Sequence, residues 1–374
     1  MTFTITLSHD FSTIHRIRDE WTALQDSSDA DSIYLTWQWV DLWWKHFGND
    51  KELWLLEARE DNDNRLIGLA PLKCFRFNPK YGLSWRQLQF IGASSACEHL
   101  DFIVERGREA EVIPAFVAYI LAETSRWDVL SLSRLLESST TLEILETTEH
   151  DWKEGESRVA PYIPLPKTWD DFFMTLSKNR RKKQRRYRRR LDEEYPDNWS
   201  FDYVTDPAEL DSTIDRLITL HQAKWEALGE VGAFGEAEVA AFHREVIRLF
   251  HEQGWLRLFR LVVDTRIVAV LYTYQYRGRR YDFASGIDYD MYDLIPGHLL
   301  TELAIANAID EGQQEYDFLW GDEEYKYSWG AQDRYNLTRL VVTNPRITIQ
   351  EKAVDVLRNT KRFLKKRIMS RDVN

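Results

Sequence analysis

Apolar positions change their period several times along the chain, and each change marks an element. Ile14, Ile17, Trp21 and Leu24 recur at helical spacing, which predicts an amphipathic helix over 14–25. A second helix is predicted over 37–47, where Trp37, Val40, Trp43, Trp44 and Phe47 share one broad face. Residues 53–58 and 65–77 read as paired strands joined through the turn Asp61-Asn62-Asp63-Asn64. Short strands follow at 88–91 and 101–104, then a helix at 110–124 and a buried strand at 127–132. Across 151–166 the pattern breaks: charge, Gly155, Pro161, Pro164 and Pro166 mark a connection.

Beyond it, 169–195 reads as one long helix whose start suits capping by Thr168 and Asp171. Helices at 207–228 and 236–253 precede strands at 256–263, 266–276 and 280–286. A loop, 287–296, leads into a helix at 297–311 that Gly312 stops, and an apolar strand follows at 316–320. A short helix at 323–329, a strand at 336–343 and a basic amphipathic helix at 349–368 complete the pattern. Strand pair, third strand, loop, helix and strand thus occur twice, in 53–132 and in 256–320, which reads as an internal duplication.

The expected fold class is therefore α/β (α+β): two similar units, each a mixed twisted sheet flanked by helices. Boundaries are set at 1–155 and 156–345, with a basic helical tail at 346–374. A length of 374 residues at 44% hydrophobic content also exceeds one ordinary compact domain. The net charge of −12 argues against a protein that coats nucleic acid without selectivity. That average hides the stretch 178–190, which holds ten Lys or Arg residues and calls for an anionic partner or for solvation. Cys74 and Cys97 are too few for a disulfide framework, and no spacing of Cys and His suggests a metal. No leader is evident and no apolar run approaches the ~20 residues that span a bilayer, so a cytoplasmic protein is expected.

Candidate chemistry concentrates in 257–330. The strand Tyr281-Asp-Phe-Ala-Ser-Gly286 ends at a glycine, and Pro296-Gly297 then opens a helix. The N–H groups of Gly297, His298 and Leu299 would lack intrahelical partners and, with the helix dipole, favour a pyrophosphate. Asp317 at the mouth of a buried strand is a candidate general base if burial raises its pKa. His221 and Trp225 share a helix face, and His221 suits general-base work. Asp282 and Asp288 flank the strand and could touch an acceptor amine, and Asp322, Glu323 and Glu324 add further carboxylates. No Ser/His/Asp or Cys/His nucleophile is evident, which favours direct attack by the acceptor.

Several short motifs resemble the GNAT acyltransferase superfamily, and more narrowly the CelD/BcsL-type, double-GNAT group allied to FemABX peptidyltransferases. They include Trp39-Val-Asp-Leu-Trp-Trp44, Gly68-Leu-Ala-Pro-Leu72, Leu220-His-Gln-Ala-Lys-Trp225, Ser285-Gly-Ile-Asp288, Tyr316-Asp-Phe-Leu-Trp-Gly321 and Trp329-Gly330. The resemblance implies two tandem GNAT-like domains, with the donor cleft kept in the second half and lost from the first. It implies an acyl-CoA donor, such as acetyl-CoA, contacted by Ser285, Gly286, Ile295, Pro296, Gly297, His298 and Leu299. It implies an amine acceptor, such as a phosphorylated or nucleotide-linked sugar of the envelope, near Trp225, Asp282, Asp288, Glu323, Tyr325 and Trp329. In FemABX-like enzymes a lysine set between two glycines, as Lys326 is between Gly321 and Gly330, faces the reaction centre. Such an ammonium would balance charge beside Asp317 and His221. Two alternatives stay open: an aminoacyl-tRNA donor, and a non-catalytic scaffold in exopolysaccharide synthesis. The basic run suits the CoA 3′-phosphate, a pyrophosphate-linked acceptor, tRNA or an anionic membrane surface.

Overall fold

The structure is a computed structural model, and it describes residues 2–79, 82, 84–93 and 97–347. The expected basic helix at 349–368 lies outside the described residues. The first half opens with β1 (Phe3–Ser8), α1 (Ser12–Arg16) and α2 (Arg18–Asp26), followed by α3 (Trp37–Phe47). The expected helix over 14–25 is broken at Ile17, whose φ of −98° and ψ of 13° leave the helical region. Strands β2 (Glu52–Glu60), β3 (Leu66–Phe77), β4 (Trp85–Phe90) and β5 (Ile103–Val104) come next. Then come α4 (Glu109–Ala122), β6 (Val129–Leu136), α5 (Thr140–Thr147), β7 (Lys153–Glu154) and β8 (Arg158–Val159).

The second half begins with β9 (Tyr162–Pro164), α6 (Trp169–Thr175) and α7 (Lys178–Glu194). The single helix expected over 169–195 is two, because Leu176 and Ser177 are extended and the Ser177 hydroxyl caps α7 by accepting from the Arg180 N–H at 3.2 Å. Next are β10 (Trp199–Tyr203), α8 (Pro207–Ala227), α9 (Ala237–Glu252), β11 (Leu256–Val263), β12 (Arg266–Tyr276) and β13 (Arg279–Ile287). The chain ends its described course with α10 (Pro296–Asp310), β14 (Glu315–Asp317), α11 (Glu324–Ser328) and β15 (Tyr335–Val342).

Two sheets result. One runs β1-β2-β3-β4-β6-β15-β7, with β5 beside β3 and β8 beside β15; the other runs β10-β11-β12-β13-β14-β9. The expected duplication shows in the connections. In each half three antiparallel strands lead through a helix to a strand that pairs in parallel, β4 with β6 and β13 with β14. The second half also contributes strands to the first sheet. β15, late in the chain, lies antiparallel on β6 of the first sheet, while β9 lies antiparallel on β14 of the second. The boundary expected at 155 therefore separates β7 from β8, which pair with the same strand β15. Nothing in a local hydrophobic pattern marks that long-range pairing.

A continuous core joins the halves. The Tyr34 and Tyr274 hydroxyls lie 2.6 Å apart, Trp39 meets Phe242 edge-on, and Arg277 donates to the Gln25 carbonyl. Among the described residues no helix is long and apolar enough to cross a membrane. No cluster of His, Cys, Asp and Glu suited to a metal occurs among them either.

Gly286 is where α8 lies hardest on β13. A Cβ there would stand 2.7 Å from Leu220 Cβ and 2.8 Å from the Leu217 carbonyl oxygen. Gly286→Ala is expected to cost about 1–3 kcal/mol through overpacking, read as a lower denaturant midpoint at unchanged slope.

Candidate active site

The site begins where two parallel strands part. β13 and β14 pair at Arg279–Glu315, Arg280–Tyr316 and Tyr281–Asp317, and no further. After Asp317 the chain turns to the other side: Phe318 N–H donates to Pro161 O and Gly321 N–H to Val159 O. Meanwhile β13 continues to Ile287 on β12. A V-shaped opening is left, with Asp282 as the first residue of β13 beyond the last paired rung.

Asp282 is buried, and its Oδ2 accepts from the Tyr316 hydroxyl at 2.9 Å. Burial pushes its carboxyl up to about 6, against the pull of that hydrogen bond and of Lys326. Asp317 stands in contrast. Its Oδ2 lies 2.7 Å from both Arg334 Nη2 and His99 Nε2, and its Oδ1 accepts from the Leu319 N–H at 2.8 Å. Burial alone would raise its pKa, but Arg334 and His99 hold it below the usual carboxylate range. The expectation that burial turns Asp317 into a base is thus corrected. It is the anionic centre of a buried cluster, and the carboxyl that burial raises is that of its neighbour Asp282.

Lys326 is likewise a clamp. Its Nζ donates to the carbonyls of Trp320 at 2.9 Å, Gly321 at 3.0 Å and Leu319 at 3.3 Å, and pairs with Glu323 at 2.9 Å. An ammonium has three N–H donors, and here all are engaged by the loop that leaves β14. His221 also serves structure. Its Nε2 accepts from the Ala233 N–H, so its Nδ1 donates to Ser285 O at 2.9 Å, and burial lowers its pKa. The ring therefore ties α8 to β13 and to the loop before α9, and has no free nitrogen for base work. With Trp225, Ser285 and Tyr289 it borders a small cleft of about 100 Å³. Asp288 is spent on Arg216 and Arg266 and on capping the turn at Tyr289–Leu294.

At the other end of the opening, α10 starts abruptly. Ile295, a β-branched residue, takes φ 54° and ψ 49°, a strained left-handed conformation. His99 and Leu319, beside Asp317, are left-handed too. Of the three N–H groups expected to be free, those of His298 and Leu299 donate to Ile295 O; that of Gly297 has no backbone acceptor among the described residues. Gly297 packs so tightly on β13 that a Cβ would stand 2.7 Å from Ile287 Cδ1. Pro296 and Leu299 are buried. Gly286 faces α8 rather than the opening, whereas Ser285 is exposed.

The basic run is α7, and it lies across the start of α10. Arg180, only 6% exposed, stacks on Trp329 at 3.9 Å and reaches His298 Nδ1 at 3.0 Å. Gln184 donates to His298 O, and Arg190 to Asp293 O. Burial and the Arg180 charge press the His298 pKa down to about 4, so its ring is neutral. Arg180 Nε and Arg188 Nη1 are buried without a partner. The unmatched Arg180 donor beside the helix N-terminus fits an anion, while Arg188 lies over Trp199 and, with Arg180, near the Glu302 carboxylate of α10. The corresponding helix of the first half, α4, opens with Glu109 and Glu111. Those carboxylates would repel a phosphate at that helix start.

Sequence reasoning missed His99 and Arg334, which bond Asp317, and Asn336, which bonds His99; His99 comes from a loop more than two hundred positions before the other two. It also missed Phe283, the residue bulged out of the β12–β13 ladder between Asp282 and Ala284. Of the expected acceptor residues, Glu323 is paired with Lys326, Trp329 lies beneath Arg180 and Tyr325 is partly exposed.

Comparison with known proteins gives a consistent fold. Residues 178–327 match the profile of an acetyltransferase (GNAT) domain. The crystal structure of FemX superposes with a TM-score of 0.60 over 90% of this chain and 97% of that one, at 13% identity. A conserved protein of unknown function from Bacteroides thetaiotaomicron gives 0.57 over 90% and 100%, at 15% identity. At such identities the likeness is one of fold. No curated protein matches the sequence. The architecture is that of tandem GNAT-like domains, and the findings support an acyltransferase of the GNAT type.

Arg334→Met leaves Asp317 buried with His99 as its remaining side-chain partner. It is expected to cost about 3–5 kcal/mol at neutral pH. The native ion pair stabilises fully above about pH 4, the unfolded carboxyl value, and is lost as pH falls through the lower folded value. The difference between Arg334→Met and the native protein in urea titrations should therefore shrink on acidification.

Proposed function

We propose that the protein transfers an acyl group from a coenzyme A thioester to an amine, with the donor lying in the opening between β13 and β14. The observation that carries this reading is the parting of the parallel strands at Asp317, with a basic, partly unmatched helix start at its far end. Pyrophosphate on the Gly297 N–H and Arg180 would set the thioester along β13, with its carbonyl near Asp282. The amine nitrogen attacks that carbonyl, the C–N bond forms, the C–S bond breaks and the sulfur leaves as a thiolate. Asp282 takes the proton the nitrogen loses. Lys326 and the Asp317 cluster hold the loop and strand that form the far wall, so their part is positioning rather than proton transfer.

An acceptor amine is common to this reading and to the family resemblance; a sugar-linked envelope amine is the acceptor that resemblance favours. A second reading has its own observation. Lys178, Lys182, Lys183, Arg185 and Arg186 on α7 are exposed, and among the described residues no ion pair engages them. That face would suit a polyanionic donor carrier such as aminoacyl-tRNA.

Calorimetric titration separates the two. Acetyl-CoA should bind and release heat that Arg180→Met diminishes. If only tRNA binds, with affinity falling steeply in salt and with K182E/K183E/R185E/R186E, the first reading fails. With a competent acceptor, Asp282→Asn should lower kcat by about 10²–10⁴-fold, the scale of a general base. The native rate should rise with pH to a plateau above about 6, where Asp282 is ionised, and the variant should lose that limb.

A further inference from the structure

A second cavity, of about 530 Å³, lies between the halves. Trp39, Trp43 and Phe47 of α3 form one wall, Phe242 and His243 of α9 another, and Phe283 closes its inner end. Its volume falls within the roughly 300–1,000 Å³ of small-molecule sites. Two features point to a ligand there. Phe283 is the bulged residue of β13, next in sequence to Asp282, so the strand that carries the proposed proton acceptor also closes the inner end of the cavity. His243 is 3% exposed, its ring centroid is 4.5 Å from that of Phe283, and its Nδ1 has no hydrogen-bond partner. Burial presses the His243 pKa down to about 3, so the ring is neutral and open to a hydrogen bond.

We propose that this cleft is the acceptor pocket, and that it takes an amine carried on an aromatic or similarly apolar body. The naming of its occupant as an acceptor rests on the acyl-transfer reading above. The walls set the class. Five aromatic side chains supply stacking and edge contacts, whereas the carboxylates that line the cleft, Glu236 and Glu238, are exposed at its rim. A sugar would bury hydroxyls against five rings of which only the two indoles carry a donor and none an acceptor, at about 1–3 kcal/mol for each group left unpaired. An aryl or alicyclic body loses nothing on entering. The same walls desolvate an ammonium and favour the free base, which is the nucleophilic form. The neutral His243 is placed to accept an N–H of the amine. The first half, whose own helix start is acidic, would thus contribute the wall that selects the acceptor.

The test is calorimetric titration of the full chain without acyl donor, using 2-phenylethylamine, glucosamine and spermidine. The expected result is saturable binding of 2-phenylethylamine at least ten-fold tighter than of either other amine. Val239→Trp, which fills the cleft from α9, should weaken that binding at least ten-fold. Val231→Trp, at a lining residue 74% exposed and so harmless to folding, should weaken it in the same sense. Acetyl-CoA titrated into both variants should bind as it does to the native chain. Glucosamine or spermidine bound in preference, or 2-phenylethylamine binding unmoved by both variants, overturns the assignment. Loss of acetyl-CoA binding in the native chain would instead count against the donor reading, leaving the amine result to stand or fall alone.

Discussion

A carboxylate with no access to water sits where the two halves and the two strands of the opening meet. Asp317 ends the parallel pairing of β14 with β13, and it is held by Arg334 from the segment before β15 and by His99 from the first half. An isolated carboxylate could not be buried there. The cation, the ring and the Leu319 N–H together make the position tenable, and they do so by drawing three remote segments to one point. The left-handed His99 and Leu319 show that backbone strain is accepted to complete the cluster. Once that point is fixed, β14 must leave β13, and the opening follows.

Division of labour among acids comes from surroundings rather than residue type. Asp282 and Asp317 are both buried aspartates near one strand crossing. One has a hydroxyl for a partner and is pushed up to about 6; the other has an arginine and a histidine and stays ionised. The same logic separates the helix starts of the two halves. Guanidinium groups lie over α10, while carboxylates begin α4.

Much of the fold was legible from period alone. The helix over 37–47 and the strands 256–263 and 266–276 coincide with observed elements, because each carries a clear one-sided pattern between turn residues. The strands at 162–164 and 199–203 were not read, since three to five residues carry too little periodicity. The site was legible in its location and less so in its roles. Pro296-Gly297 and the glycine-rich setting of Lys326 mark a backbone that must bend, and it does. Whether a lysine faces a cavity or three carbonyls depends on loop geometry that residue spacing does not encode. The pairing of Asp317 with His99, 218 positions away, is beyond any local signal.

The late arrival of β15 in the first sheet bears on how the chain acquires its shape. The first sheet takes β15 between β6 and β7, so it cannot be completed until residue 342 has been made. The first half therefore waits for most of the chain before its β6 edge is covered. During synthesis at about 5–20 residues per second, that edge stays open for the time needed to make some two hundred residues. A nascent chain with an uncovered apolar edge is a target for chaperones and for mispairing. The topology that binds the two halves so firmly in the finished protein makes its assembly a late event, governed by long-range closure rather than by stepwise folding of independent units.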